Sequence, residues 1–288
     1  MDRLVVHPHT KEQVAQFIAQ PTHAVLLVGS DGVGKFTLAW NSVLQVLDIP
    51  EDKAYTAVKV VSPDEKNTIS IDAVRELQRY LQLKTLGTKT YRRAVILEHA
   101  GRLTTEAQNA FLKILEEPPE DTILVLTVDN ARALLPTIMS RLQAISVNGP
   151  AEQDLRSFFA NQGKETTIIS QAYFLSGGLP GLMSALLAGD ETHPLLAGVA
   201  DAKAILQKQT FERLAMVEQL SKKKEDARYV LEALQHIAQT GLDQAAKKDD
   251  AAKLKQWHHI LKVSSGALNS MAQNANTKLV LSDAMLKL

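Results

Sequence analysis

An apolar run from His23 to Val28 passes directly into Gly29-Ser30-Asp31-Gly32-Val33-Gly34-Lys35-Phe36-Thr37, and a helical pattern follows from Lys35 to Val46. A strand feeding a glycine-rich turn that opens a helix is the start of a βαβ unit. It restricts the chain to folds built on a largely parallel sheet. The spacing is nearly that of a phosphate-binding loop, G-x-x-x-x-G-K-[ST]. In that motif the glycines let backbone N–H groups converge on phosphate oxygens, the lysine meets the outer phosphates and the following hydroxyl holds Mg²⁺. Gly29, Gly34 and Lys35 fit, with Gly32 between them, but Phe36 stands where the hydroxyl belongs and Thr37 brings it one residue late. One helical residue is a turn of about 100°, so Thr37 is expected to point away from the metal position unless the helix start is rearranged. Whether such a loop hydrolyses ATP is left open by these residues.

The rest of the first half extends the same pattern. Short β-branched runs at Ala57 to Val61, Arg93 to Glu98, Thr122 to Val128 and Gln143 to Val147 alternate with amphipathic stretches at Ile71 to Leu83 and Thr105 to Glu117. This predicts strands that cross over through helices, an α/β class. At Asn148-Gly149-Pro150 the pattern breaks, and no strand signal follows. A short helical segment is expected to end near Gly177 to Gly181. Gly189-Asp190 with His193-Pro194 reads as a linker, and helices are expected at Ala202 to Leu220, Lys224 to Thr240, Ala251 to Met271 and Thr277 to Leu288. The division implied is a sheet domain over 1–148, a small helical domain over 149–190 and an all-α bundle over 191–288.

Composition excludes several classes. Lys and Arg total 32, as do Asp and Glu, so no net field pulls the chain toward nucleic acid or membrane, and any such contact must come from a local patch. There is no cysteine, which rules out disulfides and thiolate zinc sites. No apolar run approaches the roughly 20 residues needed to span a bilayer, and no signal-peptide pattern is present, which makes the cytoplasm the expected location.

Three further segments carry chemistry. The third strand ends in Glu98-His99, where nucleotide-hydrolysing P-loop proteins place acids that hold Mg²⁺ and polarise water. Glu98 could reach a metal-bound water, whereas His99 is a poor general base beside a metal cation. The stretch Leu103 to Pro119 reads as a helix capped by Thr104 or Thr105, with Thr105 and Gln108 at capping-box spacing, and ended by the prolines. Its apolar stripe leaves Gln108, Asn109, Lys113, Glu116 and Glu117 for the surface. Finally, Ser140-Arg141 lies just before the last strand. Beside a P-loop, such an arginine suggests a guanidinium lent to a neighbour's γ-phosphate.

Taken together, these segments resemble the AAA+ subunits of bacterial DNA polymerase III clamp loaders. The resemblance rests on the Gly34-Lys35 loop, on Ala107-Gln108-Asn109-Ala110-Phe111-Leu112-Lys113 running into Leu115-Glu116-Glu117-Pro118-Pro119, on Pro136-Thr137-Ile138-Met139-Ser140-Arg141, and on Asn274 to Leu281. It implies a P-loop AAA+ sheet domain, a helical lid and a C-terminal collar for oligomerisation. The family holds ATPase subunits of the gamma/tau type and a stator-like delta prime type. This chain departs from the ATPase pattern at Phe36, at Glu98-His99 and at Gly178-Leu179-Pro180-Gly181, which lacks the lid arginine. Ser140-Arg141 is kept, although Leu142 replaces the last letter of the family's Ser-Arg-Cys signature, and Thr127 falls at the sensor 1 position.

The resemblance therefore implies a delta prime-like subunit that works with gamma/tau and delta to load a sliding clamp onto primed DNA. Arg141, with Ser140, would complete a neighbour's ATP site, while ATP and Mg²⁺ in its own loop are doubtful and the family's zinc module is missing. Gly29, Gly32, Gly34, Lys35, Thr37, Glu98 and Thr127 would form what remains of the nucleotide site. A basic set of Arg75, Arg79, Lys84, Lys89, Arg92 and Arg93 occupies a region that can face the DNA chamber in this family; Arg75, Arg79 and Lys89 are its leading candidates. A second set around Lys247 to Lys262 is interrupted by Asp249 and Asp250, and Trp257 reads as a half-buried core aromatic. An active gamma/tau-type ATPase and a non-replicative AAA+ scaffold stay open as alternatives.

Overall fold

Strands that are apolar at every position need cover on both faces, and a parallel sheet flanked by helices supplies it. The computed structural model describes residues 5–83, 85, 88–189, 194–273 and 275–288. They fall into two units divided between Pro150 and Ala151. In the first unit, β1 (Ala24–Val28), β2 (Val58–Val61), β3 (Arg93–Leu97), β4 (Thr122–Val128) and β5 (Gln143–Ser146) pair in the order β2-β3-β4-β1-β5, every pair parallel. Thus β1 lies inside the sheet, with Leu26 opposite both Leu126 and Ala144.

The period of two sends alternate residues to two separate cores. Leu26, Val95, Leu97, Leu124 and Leu126 pack beneath α4 (Ile71–Leu81), α5 (Thr105–Glu116) and α6 (Pro136–Met139), which contribute Leu77, Phe111 and Ile138. Val25, Leu27, Ala94, Ile96, Ile123 and Val125 pack on the other face, against α1 (Pro8–Ala19), α2 (Lys35–Leu47) and α3 (Ala54–Ala57), which supply Phe17, Leu38 and Ala54. Each large side chain so buried contributes about 1.5–3 kcal/mol. The strands and helices expected here are all present, with ends within two residues. Helix α1 was not foreseen, although its signal is visible. Pro8 sits in its first turn, Val14 and Phe17 are buried, and Thr10 ties it to β5 by donating to the Ser146 carbonyl at 2.8 Å.

Arg93 corrects the expectation of a basic patch that includes it. It opens β3 but is buried, and its guanidinium bonds the carbonyls that end α4, those of Tyr80 (3.1 Å), Leu81 (2.6 Å) and Leu83 (2.9 Å), together with Thr122 Oγ1 at 2.7 Å. Its counter-charge is Asp121, 3.3 Å away, which also accepts from Thr85. Burial pushes the Asp121 carboxyl up, but hydrogen bonds from Thr85 and Thr122 and the Arg93 charge outweigh it and hold the group below the ordinary carboxylate range.

The second unit is helical in every described element: α7 (Glu152–Asn161), α8 (Thr166–Ser176), α9 (Pro180–Ala188), α10 (Pro194–Gln207), α11 (Thr210–Leu220), α12 (Lys224–Lys247), α13 (Ala251–Ala272) and α14 (Thr277–Lys287). The single helix expected over Ala202 to Leu220 is two. The break at Lys208-Gln209 is stabilised because Glu212 accepts from the Gln209 amide at 3.1 Å, and Arg213 Nε reaches back to the Ile205 carbonyl at 2.9 Å, satisfying one end of each helix. Val217, Leu220, Val230, Leu234 and Ile260 fill the bundle's own core, while Leu214, Leu261 and Leu268 are half-buried. Trp257 is half-buried, edge-on to Phe174 at 5.8 Å. Lys84, the linker residues Asp190 to His193, and Asn274 lie outside the described residues.

Two outcomes follow from these contacts. Asp121→Ala leaves the buried Arg93 charge without its partner and is expected to lower stability by about 3 kcal/mol in urea unfolding followed by circular dichroism. Burial pushes the His236 imidazole on α12 below the ordinary histidine range, so the folded state binds fewer protons than the unfolded one. Its contribution is complete above about pH 6.5 and is lost as the pH falls through the folded value. Melting curves at pH 7.5 and 5.5 are expected to show a drop that His236→Gln reduces.

Candidate functional site

In open parallel sheets ligands bind where the strands end at their carboxyl edge. Here the loop after β1, the turn after β3 and the residue after β4 meet at that edge, because β1, β3 and β4 are contiguous in the sheet. The glycines act in two ways. Gly34 takes φ +89° as the residue that opens α2, a conformation that L side chains rarely adopt, whereas Gly29 is confined by packing, since a Cβ there would lie 2.3 Å from the Val147 carbonyl oxygen.

Lys35, at the first position of α2, is buried, and its ammonium is fully engaged. It donates to the carbonyls of Gly29 (2.7 Å) and Ser30 (2.9 Å) and to Asp129 Oδ1 (2.7 Å), with Asp31 Oδ1 at 3.6 Å. Asp129 directly follows β4, and Asp31 lies within the loop itself. Neither was singled out from the sequence, although both positions were legible: an acid inside a phosphate loop, and an acid at the carboxyl end of a central strand. Burial, then the hydrogen bond to Asp129 and the charge of Asp129, push Asp31 above the ordinary carboxylate range. Burial also pushes Asp129 up, but hydrogen bonds from Asp31 and Lys35 outweigh it and hold Asp129 down. The two carboxyls are thus pushed in opposite directions, and Asp129 is the one that meets the Lys35 ammonium, at 2.7 Å. The carboxylate that meets the lysine thus comes from the end of β4 rather than from the loop.

The neighbouring positions are also committed. His99 adopts φ +51°, with Nδ1 3.8 Å from Asp31 Oδ1 and Nε2 3.8 Å from Glu98 Oε1. Thr127, buried in β4, accepts the His99 amide at 3.0 Å, and Glu98 accepts from Ser62 Oγ at 3.0 Å. Thr37 is exposed, and Phe36 stacks on Trp40 at 6.1 Å in place of the metal-binding hydroxyl. Asp31, His99 and Asp129 could ligate a cation together, but the Lys35 ammonium already neutralises Asp129. These residues do not fit Mg²⁺–ATP. The hydroxyl is out of place, and the lysine is paired with Asp129 and two loop carbonyls.

The Arg141 segment is built differently. Gln108 corrects the expectation that it belongs to the surface of α5. It is buried, donates to the carbonyls of Leu103 (3.3 Å) and Ala133 (3.2 Å), and accepts the Leu135 amide at 2.8 Å, which anchors the entry to α6. The capping position belongs to Thr104, whose hydroxyl accepts from the Ala107 amide at 3.2 Å. Ser140 ends α6, and Arg141 follows at the surface. Its Nη1 donates to the Thr137 carbonyl (2.8 Å) and Ser140 Oγ (3.3 Å), and its Nη2 meets Glu116 Oε1 at 2.9 Å. The partners of Arg141 and those of Lys35 share no residue.

The remaining basic candidates are placed as follows. Lys89 Nζ bonds the Leu47 and Asp48 carbonyls (3.0 Å each) at the end of α2, closing the short loop that holds no zinc-ligand cysteines. Arg75 is exposed and pairs with Asp72 at 3.1 Å, one turn earlier on α4, and Arg79 is exposed on the same helix. Arg92 meets Asp121 at 3.4 Å. Among the described residues no helix is long and apolar enough to cross a membrane.

A family model described as DNA polymerase III, delta subunit, matches residues 7–151, half of the chain. The DNA polymerase III subunit delta' of Pseudomonas aeruginosa is 34% identical over 211 residues, 66% of this chain and 63% of that protein. Those of Escherichia coli and Bacillus subtilis are 36% and 41% identical over 131 and 139 residues, in each case 43% of this chain and respectively 37% and 41% of theirs. The chain thus matches less than two thirds of the length of these curated relatives. A solved gamma subunit-related protein of DNA polymerase III from Thermotoga maritima superposes with a TM-score of 0.56, covering 96% of this chain and 97% of that one at 20% identity, a likeness of fold. On the match over residues 7–151, the chain belongs to the DNA polymerase III delta-subunit family.

Proposed function

We propose that the chain serves as a delta prime-type subunit of a cytoplasmic clamp loader, assembled with gamma/tau and delta subunits, and helps to place a sliding clamp on primed DNA. In this reading its own loop is a structural remnant and Arg141 acts on ATP–Mg²⁺ bound by a neighbour. The observation that carries it is the contrast between two cations. Lys35 is buried and bonded by Asp129 and loop carbonyls, whereas Arg141 is half-buried at the surface, its side chain 36% exposed, on a segment whose base is anchored by Gln108. A guanidinium presented in that way stabilises charge on a transferring γ-phosphate without supplying any other part of the site. The division of the helical part into a lid over 149–190 and a collar over 191–288 belongs to the same proposal. So does any DNA contact by Arg75, Arg79 or Lys89.

Two experiments test this reading. In a loader reconstituted with gamma/tau and delta, Arg141→Ala is expected to abolish turnover at the one site it completes, an arginine of this kind being worth about 10³-fold or more there. The clamp- and DNA-stimulated ATPase then falls while size-exclusion chromatography shows an intact complex; an undiminished rate rejects the role. Asp129→Asn releases Lys35 and is expected to strengthen binding of a fluorescent ATP analogue about 10- to 100-fold, the equivalent of one charge-assisted hydrogen bond. Unchanged affinity would mean that Asp129 is not what excludes phosphate.

A further inference from the structure

Helix α5 ends at Glu116, followed by Glu117 and the Pro118-Pro119 stop. A carboxylate at a helix C-terminus faces the negative end of the macrodipole and draws a cation. The cation it finds is Arg141, 25 residues on, with Nη2 2.9 Å from Glu116 Oε1. The other two contacts of this guanidinium go to neutral oxygens, the Thr137 carbonyl and Ser140 Oγ, both through Nη1. Nη1 is thus steadied by the arginine's own segment, and Nη2 is the donor given to an anion.

A phosphate oxygen and Glu116 Oε1 would compete for that same donor, since both are anionic acceptors of a planar fork. From this geometry we propose that Glu116 is a positioning residue: it holds Arg141 in the unassembled chain and yields it when a neighbour's nucleotide arrives. The proposal rests on the reading of Arg141 as a trans-acting residue. The pair is suited to such a task because it is weak. Its side chains are 36% and 49% exposed, and surface pairs of this kind bias an equilibrium by up to about fivefold. A bias of that size suppresses idle engagement, and a multiply charged phosphate overcomes it.

Two arms test the latch. In the purified chain, arginines are labelled with phenylglyoxal and read by peptide mass spectrometry. Glu116→Gln is expected to raise the labelling rate of Arg141 about two- to fivefold, with exposed Arg132 unchanged as the internal control. In the reconstituted loader the same variant is expected to raise the ATPase measured without clamp or primed DNA by a similar factor, and the rise is expected to vanish in the Glu116→Gln/Arg141→Ala double variant. An unchanged Arg141 labelling rate overturns the latch. A rise in ATPase that survives in the double variant also overturns it, because the effect then does not pass through Arg141. If Arg141→Ala alone leaves the ATPase intact, the trans-acting reading fails and takes the competition with it. The labelling arm then still shows whether Glu116 restrains the side chain, which keeps the two failures distinct.

Discussion

A lysine ammonium at the head of a phosphate loop serves whichever anion reaches it, and in this chain that anion is part of the protein. The contact between Lys35 and Asp129 joins the start of α2 to the end of β4, and the Gly29 and Ser30 carbonyls close the remaining directions. The loop has kept its backbone path, with Gly34 at positive φ and Gly29 pressed against Val147, because the sheet and α2 depend on that path whether or not a nucleotide is present. A site meant for phosphate has to be positive, and here the Asp129 carboxylate, 2.7 Å from the ammonium, offsets the lysine. The displaced hydroxyl on Thr37 matters less once the lysine itself is occupied.

Helix α5 is the second organising element. Its apolar side, with Ala107 and Phe111, packs on the sheet, and its polar residues hold the Arg141 segment at two points, Gln108 at the base and Glu116 at the tip. A buried amide that makes three hydrogen bonds fixes geometry; an exposed ion pair does not. The segment is therefore fixed at its buried base and adjustable where its charge is presented.

Much of this was legible in the sequence, and the reasons differ from one residue to the next. The central strands could be read because burial on both faces makes them largely apolar, and β4 is found over the expected residues, Thr122–Val128. The Gly34-Lys35 loop and Ser140-Arg141 could be read because their spacing is itself the signal. The pairing of Asp129 and Asp31 with Lys35 could not, since nothing local shows that β1 and β4 are neighbours; only the strand order brings their ends together. Gln108 was misplaced for a related reason. A polar residue at a helical position looks solvated until the chain that folds over it, Ala133 to Leu135, is known. Arg93 was misread in the same way, because its burial is sustained by the carbonyls at the end of α4 and by Asp121, neither of which periodicity reveals. The break between α10 and α11 depends on Gln209 and Glu212, a weaker cap than the Ser or Thr that marks most helix starts.

We propose that the Lys35 loop, its ammonium held by Asp129, does not support ATP hydrolysis in this chain. The most direct test is steady-state ATP hydrolysis by the purified chain with Mg²⁺, measured beside Lys35→Ala. The account predicts no turnover above background in either protein. Turnover by the unmodified chain that Lys35→Ala abolishes would contradict it.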